Sequence, residues 1–158
     1  MINPAAQDLE VWAGLRFGVP VERAAATLPQ TVAAAIFNII GGRVAILSII
    51  GEVTTVIQTQ ANATKLVHNP TDAGVSQDLC ATVDITADAV GTMYSITGTP
   101  ATALQDGLNF LSPNKTLPSP LILKAGVIEL NCAGSNTGAV KWQVRYLPID
   151  EGAYVEVA

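Results

Sequence analysis

Residues 31–57 constrain this chain more than any other stretch. They read Thr-Val-Ala-Ala-Ala-Ile-Phe-Asn-Ile-Ile, then Gly-Gly-Arg, then Val-Ala-Ile-Leu-Ser-Ile-Ile-Gly-Glu-Val-Thr-Thr-Val-Ile. Two apolar, β-branched runs hinged on Gly41-Gly42 are a hairpin signal, because glycine supplies the positive φ that a tight connection needs. The spacing predicts the central hairpin of a β core. A membrane helix is the rival reading of so apolar a run. A charge at the centre of a span costs about 2.5–3.5 kcal/mol, and Arg43 would sit there, with Asn38 and Ser48 adding polar groups. No basic flank orients a span either, so no membrane partner is expected.

At 158 residues the chain fits one domain, able to bury roughly 68–70% of its unfolded surface without covalent staples. Charged residues make up 13% and apolar residues 49%, against about 25% charged in a typical soluble protein. That imbalance points to a surface that meets another protein subunit. The net charge is -5, and the eight Lys and Arg residues are scattered singly, which argues against a nucleic-acid face. No basic run followed by an apolar one opens the chain as a signal peptide would.

Catalytic and metal-binding patterns are equally thin. His68 is the only histidine, which rules out a two-His metal site within one chain. Its place before Asn69-Pro70 predicts a surface residue at a strand end. No serine lies in Gly-x-Ser-x-Gly, and Gly41-Gly42 is not followed by the helix a phosphate loop requires. Asp78, Asp84 and Asp88 cluster in sequence but not at the spacing of a calcium loop. Asp84 suits the polar side of a strand and Asp88 a turn before Gly91. No catalytic residue, cofactor or metal is expected. Cys132 falls in step with Ile128 and Leu130, which favours a buried free thiol, and whether Cys80 and Cys132 are bridged stays open. Asn62 and Asn114 match the glycosylation pattern by chance.

Residues 1–28 read as an extended N-terminal arm, with Pro4, Pro20, a helix-like fragment at 5–11, a candidate short strand at 21–27, and isolated large side chains at Leu9, Trp12, Leu15 and Phe17. Residues 29–158 form the body. Residues 98–120 are broken by Pro100, Gly107, Pro113, Pro118 and Pro120, and such a long irregular segment suits an interaction surface. The clearest alternation is C-terminal: Ile128, Leu130 and Cys132, a Gly-bounded turn at 134–138, then Val140, Trp142, Val144 and Tyr146. Period 2 on both sides predicts a second antiparallel hairpin, with Lys141 and Arg145 across from Glu129. Many short strands and almost no helix give an all-β fold, an antiparallel β-sandwich, jelly-roll-like, with an extended N-terminal arm. The unbroken apolar character of 32–40 and 44–50 predicts cover on both faces, one from the opposite sheet and the other from either the arm or a sister subunit.

Leu28-Pro29-Gln30-Thr31, Gly41-Gly42-Arg43-Val44, Gly51-Glu52-Val53-Thr54-Thr55, Asp78-Leu79-Cys80-Ala81 and the ending from Gly138 to Pro148 together carry a resemblance. Over residues 28–152 the chain resembles tailed-phage head decoration, or cement, proteins of the jelly-roll kind. The resemblance implies a structural virion protein with no catalytic task. Such a protein sits on the outer capsid surface, commonly as a homotrimer at local three-fold positions, binds the major capsid protein and strengthens the shell. On that reading Phe37, Ile39 and Ile46 of the 31–57 hairpin build the trimer interior, while Trp12, Phe17 or Phe110 touches the shell. A tail- or fibre-associated β module binding host glycan is the alternative, and it would need exposed aromatic faces. A sandwich hydrolase using paired carboxylates would need Asp84 and Asp88 in one cleft.

Overall fold

The computed structural model describes residues 17–72 and 74–158. In chain order the strands are β1 (Val19–Thr27), β2 (Ala33–Ile40), β3 (Val44–Thr55), β4 (Ala63–Pro70), β5 (Gln77–Asp78), β6 (Val83–Asp84), β7 (Thr92–Ser95), β8 (Gln105–Leu108), β9 (Leu121–Leu123), β10 (Gly126–Cys132), β11 (Ala139–Pro148) and β12 (Tyr154–Val157), with one 3-10 turn at Pro113–Lys115. They form two antiparallel sheets packed face to face. One runs β1-β11-β3-β7-β8, with β9 also on β3; the other runs β12-β2-β10-β4-β5, with β6 also on β4.

The order is that of a jelly roll. β1 pairs with β11, β2 with β10, β3 with both β7 and β9, and β4 with β5. The first four strands are thus matched, in reverse order, by those that follow, as if one long hairpin had been rolled up. Alternation along each strand then selects the core. Ile128, Leu130 and Cys132 of β10 face Val140, Trp142, Val144 and Tyr146 of β11 across the interior, all buried.

Neither predicted hairpin is one. β2 and β3 belong to opposite sheets, and so do β10 and β11; both glycine-bounded turns are corners that carry the chain across the sandwich. At the first corner Gly41 has φ 80°, and a Cβ there would lie 2.5 Å from the Gly152 carbonyl oxygen. The corner is tied to the turn before β12 by Arg43. Its backbone N–H donates to Asp150 Oδ2 at 2.7 Å, its Nη2 to Oδ1 at 2.7 Å, and its carbonyl accepts from the backbone N–H of Ile149 and Asp150.

Those hydrogen bonds from Arg43 hold the Asp150 carboxyl at about 2, below its ordinary 3.8. A depressed carboxylate pKa contributes stability that is full above the unfolded value and is lost as pH falls through the folded one. The Asp150→Asn variant is therefore expected to show a shallower loss of stability between pH 4 and 2 than the native chain. Urea unfolding at stepped pH measures it, and parallel acid limbs would contradict it.

Two bulges explain why 31–57 reads as continuously apolar. Opposite Ile128 and Glu129 the register of β2 slips, so that both Ile36 and Phe37 turn inward. On β3 the slip falls at Leu47, between the partners of Arg145 and Tyr146. Each bulge switches the phase of the alternation, which merges two half-buried patterns into one apolar run. Outward-facing Asn38, Ile40, Leu47 and Ile50 are half-buried among the described residues. The arm boundary moves as well, since β1 pairs with β11 from Val19 onward and belongs to the sheet. Lys141 pairs with Glu52 of β3 at 2.8 Å, because Glu129 lies in the other sheet.

Gly51 organises the middle of the core. Its neighbours in register are Trp142 on β11 and Tyr94 on β7, and their rings stack across it with centroids 6.4 Å apart. A Cβ at Gly51 would sit 2.8 Å from the Trp142 ring, so only glycine lets the indole lie flat there. The Tyr94 hydroxyl donates to Asp88 Oδ2 at 2.5 Å.

Candidate interaction surface

The sequence-predicted interface residues fall into three groups. Phe37, Ile39 and Ile46 are buried in the core of their own chain; they face the opposite sheet and cannot form a subunit interface, which corrects the expectation. Phe17 and Phe110 are exposed, at 58% and 67%. Trp12 lies outside the described residues, as does the helix-like fragment.

Phe110 has company that sequence reasoning missed. β8 is the edge of its sheet, and beyond it Asn109, with φ 62°, turns the chain and donates its N–H to the Gly91 carbonyl at 2.9 Å. That bond brings Leu108 and Phe110 beside Val90. Val56 joins the same end of the sandwich, because the Ile57 N–H donates to the Asp88 carbonyl and the Gly91 N–H to that of Val53. Val56, Val90, Leu108 and Phe110 are each more than half exposed. Lys115 folds the following segment back onto this end by donating to the Asp106 carbonyl.

A groove of about 470 Å³ lies on the outer face of the first sheet, where the bulge in β1 displaces Ala24 and Ala25. Four of its polar side chains are engaged with one another: Gln143 Nε2 donates to Glu22 at 2.7 Å, and Lys141 pairs with Glu52. Trp142 lines it but is only 2% exposed, with its ring turned to the core. The groove therefore offers a sugar no aromatic platform.

The three aspartates take separate structural roles. Asp78 pairs with Lys65 at 2.7 Å. Asp84 Oδ1 accepts from the Asn62 backbone N–H and from the Thr86 N–H and hydroxyl, which pulls its pKa below the ordinary value. Burial pushes the Asp88 carboxyl up, with the Tyr94 hydroxyl opposing. No group of three or more His, Cys, Asp and Glu side chains among the described residues is placed to hold a metal ion.

Cys80 and Cys132 are both free and buried, and burial pushes both thiols up. The Cys80 sulfur accepts from the Leu66 N–H. Asn62 is wholly buried and accepts from the Gly134 N–H at 2.9 Å, which closes it to glycosylation. His68 is buried rather than on the surface, since its register opposite Ile128 turns it inward. Compared with protein-family models, curated proteins and solved structures, the chain matches none.

Proposed function

We propose that the protein is a non-enzymatic structural component of a phage virion that binds the outside of the assembled capsid and reinforces it. The observation that carries this reading is the apolar end formed by Val56, Val90, Leu108 and Phe110. Large side chains left bare on a β frame suit contact with another protein, and an aromatic anchor among them suits a binding hot spot. The major capsid protein is the partner for this end. Repetition over many copies on one shell would multiply modest contacts into firm attachment. The jelly-roll order supports the reading through likeness of fold alone.

A homotrimer belongs to the same proposal. Its interface cannot be the strands of the core, and the flank where β1 and β12 form the two sheet edges offers Phe17, Val19, Tyr154 and Val157, all exposed. Light scattering at micromolar concentration is expected to give the mass of three chains, and a stable monomer would remove the trimer from the proposal.

The shell contact is tested by co-sedimentation with capsids stripped of the protein. Hot-spot side chains are each worth about 2 kcal/mol or more. Leu108→Asp combined with Phe110→Asp is therefore expected to weaken binding by at least about tenfold, with the fold retained because both side chains are exposed. Undiminished binding by a folded double variant would overturn the assignment of this end.

A further inference from the structure

One buried titratable group has no part in the surface just described. β4 turns Thr64, Leu66 and His68 inward, opposite Cys132, Leu130 and Ile128 of β10. His68 is 6% exposed, and among the described residues neither Nδ1 nor Nε2 makes a well-formed hydrogen bond, although the Val127 backbone lies near enough to favour a proton on the ring. Buried polar groups are normally satisfied, and a buried imidazolium without partners is more costly still. The ring is tightly enclosed: a Cβ on Gly126 would lie 2.9 Å from His68 Cε1 and 2.5 Å from the Asn69 carbonyl oxygen.

Two turns close this end of the sandwich over the ring. Thr71 donates to the Ala125 carbonyl through both its backbone N–H, at 3.1 Å, and its hydroxyl, at 3.2 Å. Lys124 pairs with Asp72 at 3.0 Å across the same gap. The hydroxyl bond and the Lys124–Asp72 pair are at the solvent-exposed rim, where water competes for them.

The charged groups around the ring are few. Asp72, beyond the end of β4, favours a proton on it, and Lys124 is tied to Asp72. The β5 partner of His68 is the uncharged Gln77. Lys65, Asp78 and Glu129 belong to the alternate, outward positions. The buried side chains of the described residues include no Asp, Glu, Lys or Arg, so no counter-ion faces the ring from the opposite sheet.

We propose that His68 is an acid-sensitive latch: on taking up a proton the ring must reach water, and the turns at 70–72 and 124–126 part to admit it. Burial pushes its pKa below the ordinary 6.5, with the Val127 backbone and the Asp72 charge opposing. The unfolded or opened chain accepts the proton first as pH falls. Stability is therefore intact above 6.5 and declines below it, by at most about tenfold in the equilibrium constant per pH unit, until the folded value is reached. Asp88, pushed up by burial, acts in the opposite direction, and the depressed Asp84 and Asp150 act only at lower pH. His68 is the one histidine in the chain, so replacing it separates its share of the acid dependence from that of Asp88.

Amide hydrogen exchange at pH 7.5 and 5.5, corrected for intrinsic rates, tests the latch independently of any capsid. Peptides covering 66–74 and 122–128 are expected to gain protection loss of about tenfold at the lower pH relative to those from β3 and β11. In His68→Phe, whose ring is apolar and of similar size, that differential is expected to vanish. The His68 ring resonance in the native chain should titrate below 6.5, and this measurement decides the matter if the variant does not fold. An unchanged differential in a folded His68→Phe, or a ring titrating at or above 6.5, would overturn the latch.

Discussion

Replacing Trp142 by alanine is expected to lower the unfolding free energy by about 3–5 kcal/mol, the range for truncating a large buried aromatic side chain. Against the roughly 5–15 kcal/mol that a domain of this kind has in total, this is the most damaging single truncation the core offers. Among the described residues the indole is the largest side chain packed between the sheets, and its loss leaves Tyr94 without its stacking partner over Gly51. Urea unfolding followed by far-ultraviolet circular dichroism measures the effect, and Trp142→Phe should retain part of the loss. The glycine supplies a further check. Gly51→Ala alone drives a methyl group into the ring, whereas in the Trp142→Ala background the same methyl enters space the ring has left. The two changes together should therefore cost less than their sum. A shift below about 1 kcal/mol for Trp142→Ala would mean that the ring does not pack as described.

Gly41→Ala is expected to cost about 2–4 kcal/mol, from two sources. The residue has φ 80°, which an alanine adopts at a cost of roughly 1–2 kcal/mol, and its new Cβ would meet the Gly152 carbonyl oxygen at 2.5 Å. That neighbour is backbone and cannot swing aside. Gly152 separates the two sources, because it too has positive φ, 75°, but nothing lies within 4 Å of its missing Cβ. Gly152→Ala should show the conformational cost alone, so the difference between the variants, read as a shift in urea midpoint, isolates the close approach at the corner. Equal shifts in both would indicate that the corner relaxes freely.

These glycines also mark where sequence reading succeeds and where it stops. Paired glycines between apolar runs announce a reversal of chain direction, and Gly41-Gly42 delivers one. Whether the two runs then pair with each other or face each other across a core is decided by the other strands. β2 is claimed by β10 and β12, and β3 by β11, β7 and β9, and no local periodicity records that competition. Alternation at 128–132 and 140–146 was legible because β10 and β11 keep phase along most of their inward positions. In β2 and β3 the bulges hide it. The first strand was legible only in part, because Pro20 at its start reads as a breaker, yet an edge strand tolerates it.

The interaction surface was legible only as far as its aromatic residues. Phe110 stood out because it lies in a segment without alternation. Val90 and Leu108 look like any strand residue until the sheet order puts β8 at an edge. Phe37, Ile39 and Ile46 misled because, in an unbroken apolar run, the bulges hide which side chains face the opposite sheet. His68 misled because the following Asn-Pro pair suggested an exposed strand end, whereas its place in the inward register of β4 outweighs that local cue.

The rolled-up pairing has a consequence for how the molecule comes into being. Among the described residues β1 finds its lateral partner in β11, more than a hundred residues further along, and β2 must wait for β10 and β12. While the chain is still emerging from the ribosome β1 and β2 have none of these partners to bond to, so their sheets wait until residues 126–148 have been made. Closing such distant loops is slow compared with forming local turns, and during that delay the oily strands of the first half lie open to whatever else is nearby.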